Sequence, residues 1–251
     1  MTRHMRTLAA VVALVVAVGA CAEAVPSSGG TPSPAATPAI DPLDLRYKCE
    51  AFPFAPGLLT GAPGTAEQAN DPIAAHLRAH LAGEGPDFDS LPDAGWHLTG
   101  QDAQHAEFVA VGGDRRLFVV VLKNGPEGWQ VTDHGECQPR IELAEGLGAA
   151  EWAVDPAKPK PGPATQVFDA LVTELSCNSG QPADGRVVGP RIVSSAETVL
   201  VIFAVRPRPG GQDCPANPST RVRVDLGEPL GDRKLLDGGR FPPGDPAQPR
   251  P

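Results

Sequence analysis

The sequence lacks any cluster of lysine and arginine residues: 21 basic side chains stand against 30 acidic ones, and the net charge is −9. Proteins that bind nucleic acid use clustered cations to displace counterions from the phosphates. Nucleic acid is therefore not expected as a partner. Long hydrophobic runs are also missing, because the longest uncharged and mostly apolar stretch, residues 7–20, is shorter than the roughly 20 residues that span a membrane as a helix.

The motifs of common enzymes and metal sites are missing as well. No serine stands in a Gly-x-Ser-x-Gly frame, no C-x-x-C pair offers a zinc site, and no glycine-rich phosphate loop or dinucleotide fingerprint occurs. His76 and His80 lie one helical turn apart, but the glutamate of the His-Glu-x-x-His motif is absent. We therefore expect a protein without metal, cofactor or enzymatic activity, with these histidines solvated at the boundary of a buried helix face.

Glycine and proline are abundant, at 28 and 29 residues, and a proline in a helix interior costs about 3 kcal/mol. An all-helical bundle is excluded, while 41% hydrophobic residues suffice for a folded core. The patterns predict an α+β fold that is mainly antiparallel β. One helix is expected after Asp71, because Ile73, Leu77 and Leu81 recur at helical spacing. Strands are expected at residues 96–102, 105–111, 116–123, 128–133, 171–177, 186–194, 198–205 and 221–226.

The first 20 residues have the features of a bacterial lipoprotein signal peptide. Arg3 and Arg6 form a basic start, the apolar run follows, and residues 18–21 (Val-Gly-Ala-Cys) resemble a lipobox. Cleavage before Cys21 would leave this cysteine as an acylated amino terminus that anchors the chain in the lipid bilayer. The alternative is an ordinary secretory cleavage followed by a stray cysteine.

Cleavage would remove two arginines and no acid, which takes the net charge from −9 to −11. An anionic bilayer surface repels such a chain, so acyl chains, not a basic patch, would hold it at the outer face of the cytoplasmic membrane. Residues 21–44 are rich in small residues and proline and predict a flexible tether. The proline-rich residues 242–251 predict a disordered tail.

Four cysteines follow Cys21, and an even number in an exported chain indicates disulfides, with three possible connectivities. The proline-rich residues 153–164 separate the first two cysteines from the last two. This separation favours the pairs Cys49–Cys137 and Cys177–Cys214.

The same reasoning predicts two small disulfide-stapled modules joined by a linker at residues 153–164. The first, residues 45–152, would be a helix followed by an antiparallel β-meander. The second, residues 165–241, would be an antiparallel β module. Residues 140–148 and 223–231 share five identities in nine, which either an internal duplication or two similar strand endings would explain.

A few polar clusters are candidates for chemistry. Asp133, His134 and Glu136 bring carboxylates near an imidazole, but neighbours in a turn usually interact with water. A cluster of three aspartates lacks the spacing of a calcium loop. These aspartates are Asp87, Asp89 and Asp93.

Other notable residues have structural explanations. Arg233, next to Asp232, is expected to pair with an acid or a carbonyl, and Gly238 and Gly239 after Asp237 are expected to supply positive φ angles. Ser194 and Ser195 are expected at a strand end. The three tryptophans are expected in the core of the first module; they are Trp96, Trp129 and Trp152.

Several segments together resemble a family of uncharacterised actinobacterial lipoproteins. The resemblance implies location and architecture, and it implies no catalytic residue because the family has no established activity. The segments that carry it are residues 49–53 (CEAFP), 71–78 (DPIAAHLR), 95–96 (GW), 136–140 (ECQPR), 171–180 (LVTELSCNSG) and 214–239 (CPANPSTRVRVDLGEPLGDRKLLDGG).

The sequence therefore predicts a membrane-anchored extracytoplasmic lipoprotein, a non-catalytic binding or structural component of the cell envelope whose partner would be an envelope protein or a small ligand. The alternative is an extracellular hydrolase whose site is assembled from distant residues. Its candidate residues are His97, His105, His134 and Asp133.

Overall fold

A computed structural model describes residues 44–83, 91–113 and 115–247. Strands make up 40% and helices 9%, and nearly all strand pairs are antiparallel, which confirms the mainly antiparallel β fold. In these ranges no helix has the length and apolar character needed to cross a membrane.

The helices are α1 (Gly57–Thr60), a 3₁₀ helix (Ala66–Gln68) and α2 (Pro72–Leu81). The strands are β1 (Tyr47–Lys48), β2 (His97–Gln101), β3 (His105–Val111), β4 (Leu117–Gly125), β5 (Gly128–Cys137), β6 (Arg140–Ile141), β7 (Gly148–Val154), β8 (Val167–Glu174), β9 (Val187–Ser194), β10 (Thr198–Val205), β11 (Thr220–Asp225) and β12 (Lys234–Asp237).

Helix α2 begins and packs as its sequence predicts. The Asp71 side chain accepts a hydrogen bond from the backbone N–H of Ala74 at 2.9 Å, and Pro72 occupies the first turn, where its missing N–H is tolerated. Leu77 is fully buried. It packs with Trp96, Phe108 and other residues against one face of a four-stranded sheet.

That sheet is a meander in the order β2-β3-β4-β5. Residues 117–122 of β4 are all buried because both faces of the sheet are covered. The turn between β4 and β5 is a two-residue loop: Gly125 pairs with Gly128, so β4 extends two residues beyond its predicted end at residue 123.

The second sheet has six strands, in the order β11-β8-β7-β10-β12, with β9 also paired to β10. β10 pairs in parallel with β12 over its first half and antiparallel with β7 at its end. Trp152 on β7 and Phe203 on β10 are fully buried and pack with Phe168 in the core of this sheet. A two-stranded sheet of β1 and β6 completes the fold.

The prediction of two separate modules is wrong. Val109 and Val119 of the first sheet share one buried cluster with Val193, Leu200 and Ile202 of the second. β7 follows the first sheet in sequence but pairs with β8 and β10 of the second. The two sheets therefore bury a common core.

The predicted linker at residues 153–164 is accordingly a loop inside one sheet. It connects β7 to β8, which are antiparallel neighbours, with Val154 opposite Ala170. Prolines break regular structure in a long hairpin loop as well as in a linker, so the composition alone does not distinguish the two.

The prediction of a disordered tail from residue 242 is wrong for residues 242–247. The backbone of Gly244 pairs with Asp237, and the N–H of Ala247 donates to the Trp152 carbonyl at 2.8 Å. Residues 242–247 are thus part of the fold, and residues 248–251 lie outside the described ranges.

The three tryptophans do not share one core as predicted. Trp152 was predicted in the first module, but it belongs to the second sheet. Trp96 is buried and Trp129 is partly buried against the first sheet.

The two similar segments occupy different places in the fold. Arg140 and Ile141 form β6 and pair with β1, whereas Arg223 lies within β11 and pairs with β8. In the described structure, the similarity therefore does not correspond to two equivalent strands.

Candidate functional site

The cysteine pairing predicted from the sequence is confirmed. Cys49 is bonded to Cys137 and Cys177 to Cys214, with Cα separations of 5.9 and 4.5 Å. The first bond ties the segment after β1 to the end of β5, and the second ties two loops beside β8 and β11. Cys21, the signal peptide and most of the tether lie outside the described residues.

The paired helix histidines occupy different environments. His76 is exposed and His80 is half-buried, as expected at the boundary of the packed face of α2. The ring of His80 lies 4.7 Å from the ring of His134 on β5, centroid to centroid. Burial lowers the pKa of His80, and the nearby His134 lowers it further. Within residues 44–83, 91–113 and 115–247, no group of three or more His, Cys, Asp or Glu side chains is arranged to hold a metal ion.

Three of the four residues considered for a hydrolase line two small cavities, and His97 lines neither of them. His105 and Asp133 line one of about 360 Å³, together with Glu50. Asp133 and His134 line a neighbouring one of about 200 Å³. Glu136, at the second cavity, is exposed and forms an ion pair with Arg116 at 3.0 Å.

Two histidines of this group, His105 and His97, each have a carboxylate nearby. The Nδ1 atom of His105 lies 3.5 Å from the Asp102 carboxylate, and both side chains are substantially exposed. Burial lowers the pKa of His97, while Glu67 acts in the opposite direction. Of the aspartates considered for calcium, Asp93 is exposed and the other two lie outside the described ranges.

The segment around Arg233 matches its prediction. Its guanidinium donates to the carboxylate of Glu228 at 2.6 Å and to the carbonyls of Leu230 and Pro229. The serine prediction is also confirmed, because β9 ends at Ser194 and the Ser195 hydroxyl bonds within the following turn.

The prediction that Gly238 and Gly239 supply positive φ angles is wrong, because neither residue has a positive φ. A Cβ on Gly238 would lie 2.8 Å from Ile202 Cγ1, so this glycine is required by close packing of the segment after β12 on β10.

Two titratable groups near this segment are buried. Burial raises the pKa of Asp237. Burial and the neighbouring Asp237 carboxylate raise the pKa of Tyr47 to about 12.

A pocket lined by several cationic side chains is formed by the loop between β7 and β8. Its cavity is about 270 Å³. Arg223 enters from β11, where it lies opposite Asp169 of β8. The lining residues are Lys158, Pro159, Lys160, Thr165, Val167, Phe168, Asp169 and Arg223.

The loop is held in place from its first residue. Asp155, with a side chain only 3% exposed, accepts a hydrogen bond from Ala157 N at 2.9 Å. Its Oδ2 atom lies 2.8 Å from Arg221 Nη2, a contact that is an ion pair and lacks hydrogen-bond geometry. The ammonium of Lys158 lies 4.0 Å from Asp169.

Sequence reasoning missed this pocket because residues 153–164 were interpreted as a linker. Lys158 and Lys160 are spaced by one residue between prolines, in a chain of strongly negative charge. That local reversal of charge was a usable signal. The sequence does not show that Arg223 lies near these lysines, because that follows only from the pairing of β11 with β8.

This pocket and the two disulfides define the class of protein as a disulfide-stapled, mainly antiparallel β protein with a cationic pocket. Comparisons with protein-family models, with curated proteins and with solved structures found no match.

Proposed function

We propose that this protein is a lipoprotein anchored through acylated Cys21 at the outer face of the cytoplasmic membrane, where its folded part is a non-catalytic binding component of the cell envelope. The observation that carries the proposal is the pair of disulfides, Cys49–Cys137 and Cys177–Cys214. Disulfides persist in oxidising compartments and are rare in the cytosol. The lipobox at residues 18–21 supplies the anchor.

The binding role is supported by the cationic pocket. A preformed cavity with a few convergent polar groups is the usual form of a small-ligand site. The positive charge there contrasts with the net charge of −11 expected for the mature chain, so an anionic ligand would be attracted to this surface and not to most others.

Metabolic labelling with an alkyne fatty acid tests the anchor. The full chain should incorporate the label and stay in the membrane fraction, and Cys21→Ser should lose both properties. The double variant Cys177→Ser/Cys214→Ser is the control, since it removes two disulfide-bonded cysteines and keeps Cys21. Label retained in Cys21→Ser, or absent from the wild type, would contradict the proposal.

A further inference from the structure

The pocket between the β7–β8 loop and β11 gathers cations on an acidic protein. Lys158, Lys160 and Arg223 line it, and Asp169 is the single carboxylate among its lining residues, which leaves an excess of two positive charges. We propose that this pocket binds the phosphate group of a small soluble ligand. The inference deepens, and rests on, the binding role proposed above.

The loop that carries the lysines is fixed before any ligand arrives. Four prolines restrict it, at positions 156, 159, 161 and 163. Its carbonyls at Pro163 and Thr165 accept hydrogen bonds from the backbone N–H groups of Gly231 and Leu230, both at 2.8 Å. A ligand therefore meets cations whose backbone needs little further ordering, and this preorganisation favours affinity.

The charge balance at the pocket leaves cations available. Asp155 forms an ion pair with Arg221, and Asp169 forms one with Lys158. Lys160 and Arg223 form no ion pair in the described ranges. A phosphate dianion would complete the pairing of these two side chains through charge-assisted hydrogen bonds.

A hydroxyl group at the pocket is also available to a phosphate. Thr165 Oγ1 accepts a hydrogen bond from Gly162 N at 2.9 Å, so its own proton can be donated to a phosphate oxygen. The cavity of about 270 Å³ accepts a phosphate with a small organic group. The net negative charge of the whole chain opposes docking on an anionic bilayer, so a soluble ligand fits better than a lipid headgroup.

Isothermal titration of the full chain with glycerol 3-phosphate tests the proposal. The wild type should bind saturably, and Lys160→Ala and Arg223→Gln should each bind about tenfold more weakly, the effect of one charge-assisted hydrogen bond. Lys234→Ala is the matched control, because it removes one exposed lysine on β12. It should bind like the wild type.

Three results would overturn the proposal: no binding of glycerol 3-phosphate by the wild type, equal binding by the pocket variants, or binding only to phosphatidylglycerol vesicles. The last would assign the pocket to lipid headgroups. The titration is repeated with Cys21→Ser, which separates the two proposals. Binding that persists in this variant supports the pocket even if fatty-acid labelling fails, and labelled Cys21 without binding refutes the pocket alone.

Discussion

At the scale of single residues, three of the buried carboxylates in the described ranges have different surroundings. Glu107 on β3 is fully buried and has no cationic partner among the residues that the structure describes; its Oε2 accepts from the backbone N–H of Ala51 at 2.7 Å. Glu174 is ion-paired with Arg186 at 2.7 Å. Asp237 accepts a hydrogen bond from Gly239 N. These surroundings give Glu107 and Glu174 opposite effects on the pH dependence of stability.

Glu107 should make the protein less stable as pH rises. Burial raises its pKa above the ordinary 4.5, although hydrogen bonds from Ala51, Phe52 and Thr99 act in the opposite direction. The folded state therefore holds the proton more tightly than the unfolded chain, so this contribution to stability is complete below pH 4.5 and is lost as pH rises through the folded pKa. Relative to Glu107→Gln, the wild type should lose free energy of unfolding over that window.

Urea unfolding of both proteins at a series of pH values measures this difference. The exposed Glu127→Gln variant is the control for the change of net charge. A difference between wild type and Glu107→Gln that stays constant across the series would show that the pKa of Glu107 is not raised.

Glu174→Gln should destabilise the protein by about 3 kcal/mol, because it leaves Arg186 without its anionic partner in a buried site. Burial alone would raise the pKa of Glu174, but hydrogen bonds from Arg186 and Asn178 outweigh it and lower the pKa. Its stabilisation is therefore present above the ordinary pKa and is lost as pH falls through the folded value.

Denaturant unfolding at neutral pH measures the loss. Glu142→Gln removes an exposed carboxylate 3.7 Å from Arg46 and should cost less than about 1 kcal/mol. Similar losses in the two variants would mean that the Glu174–Arg186 pair behaves like a surface pair.

At the scale of elements, strands with a clear apolar pattern of their own were predictable, and β7 and β12, which lack one, were not. β10 (Thr198–Val205) has a continuous apolar run, and β11 alternates, with Val222 and Val224 facing inward, so both were predicted within one residue of their ends. β7 and β12 were not predicted. β12 has four residues, and its parallel pairing with β10 leaves no local signal.

Helix α2 was predicted because its cap, its proline and its apolar spacing are all local. The pocket was not, because it joins a loop to a strand about 60 residues away through a pairing that only the folded sheet specifies. The disulfides fall between these cases. Their pairing was inferred from the proline-rich residues 153–164 between the two pairs of cysteines, whereas the core shared by the two sheets was not inferred.

Gly238→Ala should destabilise the contact between β12 and β10. The new Cβ would lie 2.8 Å from Ile202 Cγ1 and 3.0 Å from Leu200 Cβ, and overpacking of this kind costs about 1–3 kcal/mol. Gly211→Ala is the matched control, since a Cβ there meets nothing within 4 Å. Thermal unfolding should show a loss for the first variant only, and equal stability of the two would refute the packing role of Gly238.

At the scale of the whole molecule, one shared core predicts one unfolding transition. The bonds Cys49–Cys137 and Cys177–Cys214 span 88 and 37 residues. On the chain-entropy model they stabilise the fold by about 4.6 and 3.8 kcal/mol respectively.

Replacing either pair with serines should therefore shift a single transition, and the Cys49→Ser/Cys137→Ser variant should shift it slightly more. In calorimetry, a ratio of van't Hoff enthalpy to calorimetric enthalpy near one would support a single unfolding transition. Two transitions, of which each variant moves only one, would instead restore the picture of two independent modules.

Mass spectrometry of the mature protein isolated from membranes, analysed intact and as non-reduced peptides, tests whether the chain is both lipid-anchored and disulfide-bonded. We expect a chain that begins at a diacylglycerol-modified Cys21 and contains two linked peptide pairs, Cys49 with Cys137 and Cys177 with Cys214. An unmodified Cys21, or four free thiols in the native material, would contradict it.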